Sequence, residues 1–456
     1  MGTIADMQAA LETRYRERTT RSYALYERAL HSLPGGDTRN VLFYPPYPTF
    51  IDRGSGCRLF DVDGNEYLDF LSNYTSVIHG HAHPRIVAAI TEQSAKGTAH
   101  GGPVELGIVL AEMLCARVPS VERVRFANSG TEAVLNAIRG ARAFTGRSKI
   151  LKMEGGYHGS YDAAEVSVDP GRDGPAFPTG RPDGLGLSPG LTGEVLVAPF
   201  NDLATTAGLI RRHARELAAV IVEPVMGSAG MIPADPVFLS GLREVTRATG
   251  VLLIFDEVIS FRLAVGGAQA LYGVRPDLTT FGKVIGGGLP VGAFGGRADI
   301  MALFDPRRAG HVSQSGTFNG NAATVVAGVV ALELLDAEAI ARINALGERL
   351  REELQATLDE AGVPARMTGR GSLMQVHFTD GPVQDYRDAA RGKAKGVAHW
   401  LHLALLNRGI YPASRGMIIV STPMSQREID RMVSCFREAV ADILPLIATE
   451  RVGATV

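Results

Sequence analysis

Long apolar runs are missing from this chain of 456 residues. No stretch of about 18 consecutive apolar residues occurs, which excludes a conventional membrane-spanning helix. Met1 to Arg21 is polar and mixed in charge, without the apolar centre of a signal peptide. An excess of one charge is missing too. The 46 Lys and Arg against 48 Asp and Glu leave a formal net charge of -2, which offers no basic surplus to nucleic acid or an anionic membrane. Cysteine is scarce: Cys57, Cys115 and Cys435 are scattered, odd in number and free of any CxxC pairing. A disulfide framework or zinc site is therefore not expected, and a reducing, cytoplasmic setting fits. No internal repeat of solenoid period is present. What remains is ordinary globular material, 45% hydrophobic and 21% charged, with 53 glycines that fall in clusters. Clustered glycine points to tight turns around a ligand.

Met7 to Leu33 reads as one helix, stopped by Pro34-Gly35-Gly36. Asp37 to Pro48 is extended and aromatic, with Arg39 near its head; taken alone, such an arginine is simply solvated. Phe50 to Tyr67 has a hairpin pattern turning at Asp63-Gly64. His79, His81 and His83 would share one side of a strand. Gly80 and Pro84 interrupt any such strand and no carboxylate cluster follows, so no metal is expected. Pro84 to Lys96 and Glu105 to Arg117 have helical spacing.

From Val124 to Gly295, short β-branched runs alternate with helical stretches, the pattern of an α/β fold with a mostly parallel sheet covered on both faces. Asp162 to Thr192, rich in Gly and Pro, is expected to be a long excursion forming a lid or interface loop. After His311 come helices (Asn321 to Leu335, Glu338 to Ala361), a strand pair around Gly371 to Phe378, a helix through Trp400, a strand near Met417 to Ser421 and a last helix from Gln426 to Leu446.

Four features of the central region carry chemistry. Ser129 and Glu132 form a capping box directly after a strand. Gly130 lets a ligand approach, and the N–H groups of a helix start suit a phosphate. In Gly155-Gly156-Tyr157-His158-Gly159, a tyrosine flanked by glycines at a strand end can lay its ring over a flat ligand. Asp256 ends the most apolar strand, VLLIFDEV, where a carboxylate can keep a ring nitrogen protonated, and Val258 can pack beneath that ring. Lys283 ends the next strand. An apolar approach lowers a lysine's pKa, and the neutral amine attacks carbonyls. The glycines after it, Gly286 to Gly288, are expected to let backbone pass close to the ligand. Carboxylate partner, lysine, phosphate cup and stacking aromatic are what pyridoxal 5'-phosphate (PLP) demands of a protein.

The motifs FANSGTEA, GGYHG, VEPVMG, LLIFDEVISFRL, DLTTFGKVIGGGLPVGAFGGR and SQSGTFNGN run in order along the chain. On them the sequence resembles the class III, fold-type I, PLP-dependent aminotransferases, in the branch that is similar to glutamate-1-semialdehyde aminomutase. The resemblance implies a large PLP-binding domain over 69–320. It implies a smaller α+β domain built from both termini, 1–68 with its helix and hairpin and 321–456. It assigns Lys283 as Schiff-base lysine and proton shuttle, Asp256 to the pyridine nitrogen, and Ser129, Gly130 and Thr131 to the phosphate. Tyr157 would stack on the ring with His158 beside it, and Glu223 would sit near the ring hydroxyl. Thr317 would reach the phosphate of the neighbouring subunit's cofactor, which implies a homodimer with shared sites and an interface formed by the Gly/Pro-rich loop and the central-domain surface.

The chain departs from the family where DEVISFRL lacks a glycine before Phe261 and Arg262. The stretch Asp37 to Tyr44 also differs from the aminomutase type and resembles that of aromatic β-amino acid aminotransferases, such as those acting on β-phenylalanine. By that resemblance Arg39 grips the substrate carboxylate, Arg415 assists, and Phe43, Tyr44 and Tyr74 supply an apolar pocket. The implied reaction is a ping-pong transfer of an amino group to pyruvate or 2-oxoglutarate. The alternative is glutamate-1-semialdehyde 2,1-aminomutase chemistry.

Overall fold

The computed structural model of the protein describes residues 4–393 and 396–453. Its centre is a seven-stranded sheet. In spatial order the strands are Arg123–Ala127, Gly292–Gly296, Leu278–Gly282, Leu252–Asp256, Leu217–Val222, Lys149–Met153 and Val195–Ala198. Only Gly292–Gly296 runs antiparallel to its neighbours. Alternate residues of each strand serve opposite faces. Leu253 and Phe255 pack with Phe238, Leu239 and Leu242 of helix Pro236–Thr249, whereas Leu252 and Ile254 join Ala133, Val134 and Ala137 of helix Gly130–Thr145. Burial on both faces is why these strands read as continuous apolar runs.

The parallel arrangement brings the C-terminal ends of five strands to one edge. Asp256 ends its strand at this edge, and Ser129, Glu154, Glu223 and Lys283 lie in the turns just beyond it. The Asp162 to Thr192 excursion folds back over the sheet. Fully buried Lys152 holds it, with Nζ donating to the carbonyls of Ala164 (3.1 Å) and Val166 (2.5 Å). Arg387 pairs with Glu154 at 2.7 Å and donates to Pro175 O at 2.8 Å.

The termini build two smaller sheets. Strands Ile51–Ser55, Arg58–Asp61 and Glu66–Asp69 form two successive hairpins, the second turning at Asp63-Gly64, and Ile410–Tyr411 adds parallel to the last of them. Arg366–Arg370, Leu373–His377 and Met417–Ile419 form an antiparallel sheet whose first turn is at Gly371, so the strand pair begins five residues before the position the pattern indicates. Helices Ala337–Glu360, Val397–Leu406 and Gln426–Gly453 pack around them, whereas Ala322–Leu334 lies against helices Pro84–Lys96 and Glu105–Arg117 and the turn Lys283–Gly286.

The first helical stretch is not continuous. It divides into Ile4–Arg18 and Thr20–Ala29 at Thr19, whose ψ is 40°. The Thr19 hydroxyl donates to Tyr15 O at 2.6 Å and lies 3.0 Å from Tyr47 Oη. The hydroxyl's bond back to the carbonyl one turn earlier, together with its long-range contact to Tyr47, breaks the helix there. No described helix is long and apolar enough to cross a membrane.

Candidate active site

Asp256 ends its strand almost fully buried. Its Oδ1 accepts from Thr280 Oγ1 (3.1 Å) and Val258 N (3.2 Å), and its Oδ2 lies 2.8 Å from His158 Nδ1. Burial holds His158 below its ordinary pKa, so the ring is neutral and Nδ1–H donates to the carboxylate. His158 Nε2 is buried and has no hydrogen-bond partner among the described residues.

Lys283 follows the adjacent strand with φ +50°, at the start of the 3₁₀ turn Lys283–Gly286. Burial lowers its amine from 10.5 to about 8; Asp256 and Glu223 oppose this and Arg415 adds to it. Glu223, just beyond its own strand, accepts Tyr157 N (3.0 Å) and Gly227 N (3.1 Å) through its two oxygens. Burial, reinforced by Asp256, raises its carboxyl to about 8, so a proton stays on it at neutral pH.

The capping box is built as the spacing requires. Ser129 Oγ accepts Glu132 N at 3.2 Å and Glu132 Oε2 accepts Asn128 N at 2.7 Å. The first amides of helix Gly130–Thr145 have no intrahelical acceptor. Thr131 Oγ1 accepts Ser160 N at 3.1 Å and retains its proton. Val258 lies under this turn: a Cβ at Gly130 would stand 3.2 Å from it.

Together these groups line a cavity of about 520 Å³, which Arg39, Asn73, Tyr74, Ser76, Tyr157, Ile259 and the stretch Gly288 to Val291 complete. The Arg39 Nη1 and Nη2 both reach Asn73 Oδ1 at 3.3 Å. Tyr74 Oη donates to Val41 O at 2.6 Å, and the Arg415 guanidinium stands 5.9 Å from the Tyr74 ring centre. Arg415 itself is not part of the lining.

Two aromatics expected in the substrate pocket lie elsewhere. Phe43 is 43% exposed and faces Tyr26, 6.4 Å away between ring centres. Tyr44 turns into the core, where its hydroxyl bonds Thr49 Oγ1 at 2.8 Å. The 3₁₀ turn Asn40–Leu42 directs both rings away from the cavity, so of the three aromatics only Tyr74 lines it. Thr317 lines a separate cavity of about 410 Å³ with His100, Gly101 and Asn319. The glycines after Lys283 also serve a different end. A Cβ at Gly287 would meet Ala327 O at 2.6 Å and one at Gly286 would meet Val291 at 2.6 Å; only Gly288 faces the cavity. Gly287 thus lets helix Ala322–Leu334 pack closely, and Gly286 makes room for Val291 of the cavity wall. The three histidines of the HxHxH stretch separate as well: His79 bonds Ala331 O, His81 pairs with Asp69, and His83 binds neither. Arg262, despite the missing glycine, is fully buried and bonds Ser372 Oγ and Val420 O.

Sequence reasoning did not single out the turn Ser72 to Thr75. All four residues are left-handed, with φ of 49°, 44°, 54° and 77°. For a non-glycine residue this costs about 1–2 kcal/mol each. Buried Asp69 supports the turn, accepting Leu71 N and Ser72 N through Oδ1 at 2.9 Å while Oδ2 pairs with His81 at 2.7 Å. The conformation puts two consecutive side chains, Asn73 and Tyr74, on one cavity wall. A strand would have sent them to opposite faces. Asparagine tolerates this region better than most residues, which is the sole local signal.

A helix start for a phosphate, a carboxylate on one strand end and a lysine of lowered pKa on the next suit PLP, and the unpartnered His158 Nε2 leaves a polar contact available beside them. Fold and site thus define a PLP-dependent enzyme. Residues 43–425 match the family model for class-III aminotransferases. The chain is 42% identical over 439 residues to the β-phenylalanine transaminase of Variovorax paradoxus, covering 95% of this chain and 96% of that one. It is 41% identical over 432 residues to glutamate-1-semialdehyde 2,1-aminomutase 2 of Brevibacillus brevis, covering 93% and 98%. An omega-transaminase structure from Sphaerobacter thermophilus superposes with a TM-score of 0.89 at 47% identity, covering 94% and 99%. The chain belongs to the class-III aminotransferases, fold-type I enzymes that use PLP.

Proposed function

We propose that this enzyme moves the amino group of an aromatic β-amino acid, such as β-phenylalanine, to pyruvate or 2-oxoglutarate. The observation that carries this reading is Arg39: its guanidinium lines the cavity and pairs with no carboxylate among the described residues. An unpaired arginine fork suits a substrate carboxylate through two parallel N–H bonds. The Tyr74 ring beside it, backed by Arg415, suits an apolar side chain.

Bound in the cavity, PLP supplies a conjugated ring that takes up the electron pair left when the amine-bearing carbon loses its proton. Lys283 Nζ would take that proton and hand it on to the cofactor's carbon rather than back to the donor, and its lowered pKa keeps part of it neutral near pH 8. Asp256 offers its carboxylate to the ring nitrogen, oriented by Thr280, Val258 and His158. Ser129, Gly130 and Thr131 would hold the phosphate, Tyr157 and Val258 would pack against the ring, and Glu223, its carboxyl raised by burial, would donate toward the ring hydroxyl.

Residues 69–320 act as the cofactor domain, with 1–68 and 321–456 together as the small one; the pairing of Ile410–Tyr411 with Glu66–Asp69 supports this division. We also read the enzyme as a homodimer in which Thr317 serves the partner's cofactor. Thr317 lies outside its own subunit's cavity, in a second cavity joined to the first by the Asn128–Asn319 bond of 2.8 Å.

The test is an amine-donor panel of β-phenylalanine, β-alanine, alanine, 1-phenylethylamine and glutamate 1-semialdehyde, followed by amino-group transfer to each acceptor. Isomerisation of the semialdehyde without transfer from β-phenylalanine selects the aminomutase reading instead.

A further inference from the structure

Arg39 does not orient itself. It sits at the cavity mouth on an exposed arm, and its guanidinium is fixed by one neutral atom, Asn73 Oδ1, which receives both Nη groups at 3.3 Å. That amide is itself oriented. The Ser76 hydroxyl donates to Asn73 O at 2.9 Å, so its oxygen is left to accept Asn73 Nδ2, also at 2.9 Å. With Nδ2 committed to Ser76, Oδ1 must face Arg39. The backbone beneath is the left-handed turn Ser72 to Thr75, held by Asp69 and His81. We propose that Asn73, oriented by Ser76 on this turn, is a specificity-determining positioning residue that aims Arg39 at the carboxylate of the amino donor.

The amide type matters. A carboxamide oxygen aligns a guanidinium but leaves its positive charge unneutralised for a substrate carboxylate. An aspartate at the same place would form an ion pair with Arg39 and repel that carboxylate. The inference rests on the reading of Arg39 as the carboxylate site.

The test compares two donors that share a phenyl ring on the amine-bearing carbon and differ in the carboxylate: β-phenylalanine and 1-phenylethylamine. The ratio of their kcat/KM values is measured with the PLP-loaded full chain for wild type, Asn73→Gly, Asn73→Asp and Arg39→Ala. Glycine keeps the left-handed turn while removing the amide. Asn73→Gly should lower the ratio about fivefold, with the loss lying in KM for β-phenylalanine. Asn73→Asp should lower it further, by about 30-fold or more, because a like charge now faces the substrate. If Arg39→Ala collapses the ratio while both Asn73 variants keep the wild-type value, the Asn73 inference is overturned and the Arg39 reading stands. If Arg39→Ala leaves the ratio unchanged, the Arg39 reading falls and Asn73 falls with it. A drop in kcat for both donors alike overturns a specificity role in favour of a purely structural one.

Discussion

Replacing Lys283 by methionine keeps a side chain of similar length at the cavity floor and removes its charge. In the cofactor-free protein the expected result is a gain in stability that depends on pH. The lysine amine falls from 10.5 to about 8 because folding strips water from it faster than Asp256 and Glu223 compensate. At about 1.4 kcal/mol for each tenfold change in proton affinity, the charged amine costs the fold about 3 kcal/mol. The side chain retains some contact with water through the open cavity, which reduces the figure to about 2 kcal/mol. A group whose pKa is lower folded than unfolded binds more protons in the unfolded chain. The wild-type apoprotein therefore carries the full penalty below pH 8 and loses it as pH rises from about 8 to 10.5. Lys283→Met carries none. Urea denaturation followed by the fluorescence of the single tryptophan, Trp400, should show the variant more stable by about 2 kcal/mol at about pH 7, with the gap closing by about pH 10. A gap that is constant with pH, or a variant less stable at neutral pH, would refute burial as the cause of the lowered pKa.

Three further outcomes are expected. Asp256→Asn removes the carboxylate that faces the ring nitrogen and should lower kcat about 10²–10³-fold, measured under saturating PLP so that occupancy is not the cause. Gly159→Ala puts a Cβ 2.5 Å from Thr131 Oγ1 at a φ of +97°; thermal melts should show a loss of about 1–3 kcal/mol, and equilibrium dialysis weaker PLP binding. For Glu223→Gln, which mimics the protonated carboxyl, the pH–rate profile should diverge from wild type above about pH 8, where Glu223 ionises and glutamine does not; divergence confined to low pH contradicts the raised pKa.

Much of the site was legible because it depends on positions along one strand or one helix turn. The apolar run before Asp256, the β-branched run before Lys283 and the Ser129–Glu132 box are local patterns, and a parallel sheet necessarily delivers successive strand ends to one edge. The substrate side was less legible because it is made by contacts between segments distant in sequence. Arg39 reads as solvated from its neighbours and gains a role only by resemblance, and its partner Asn73 meets it across 34 positions. Phe43 and Tyr44, adjacent to the expected pocket in sequence, turn toward Tyr26 and Thr49 instead.

The sequence by itself determined the alternating α/β plan, the order of the strand-end residues and the resemblance that names PLP, since each follows from side-chain period, capping or motif. Tertiary structure alone decided the break at Thr19, the role of Gly287 in admitting a helix, and the left-handed turn that carries Asn73 and Tyr74. Each of these sets local conformational preference against a bond or close contact from elsewhere in the chain. Propensity rules describe only the first of those terms.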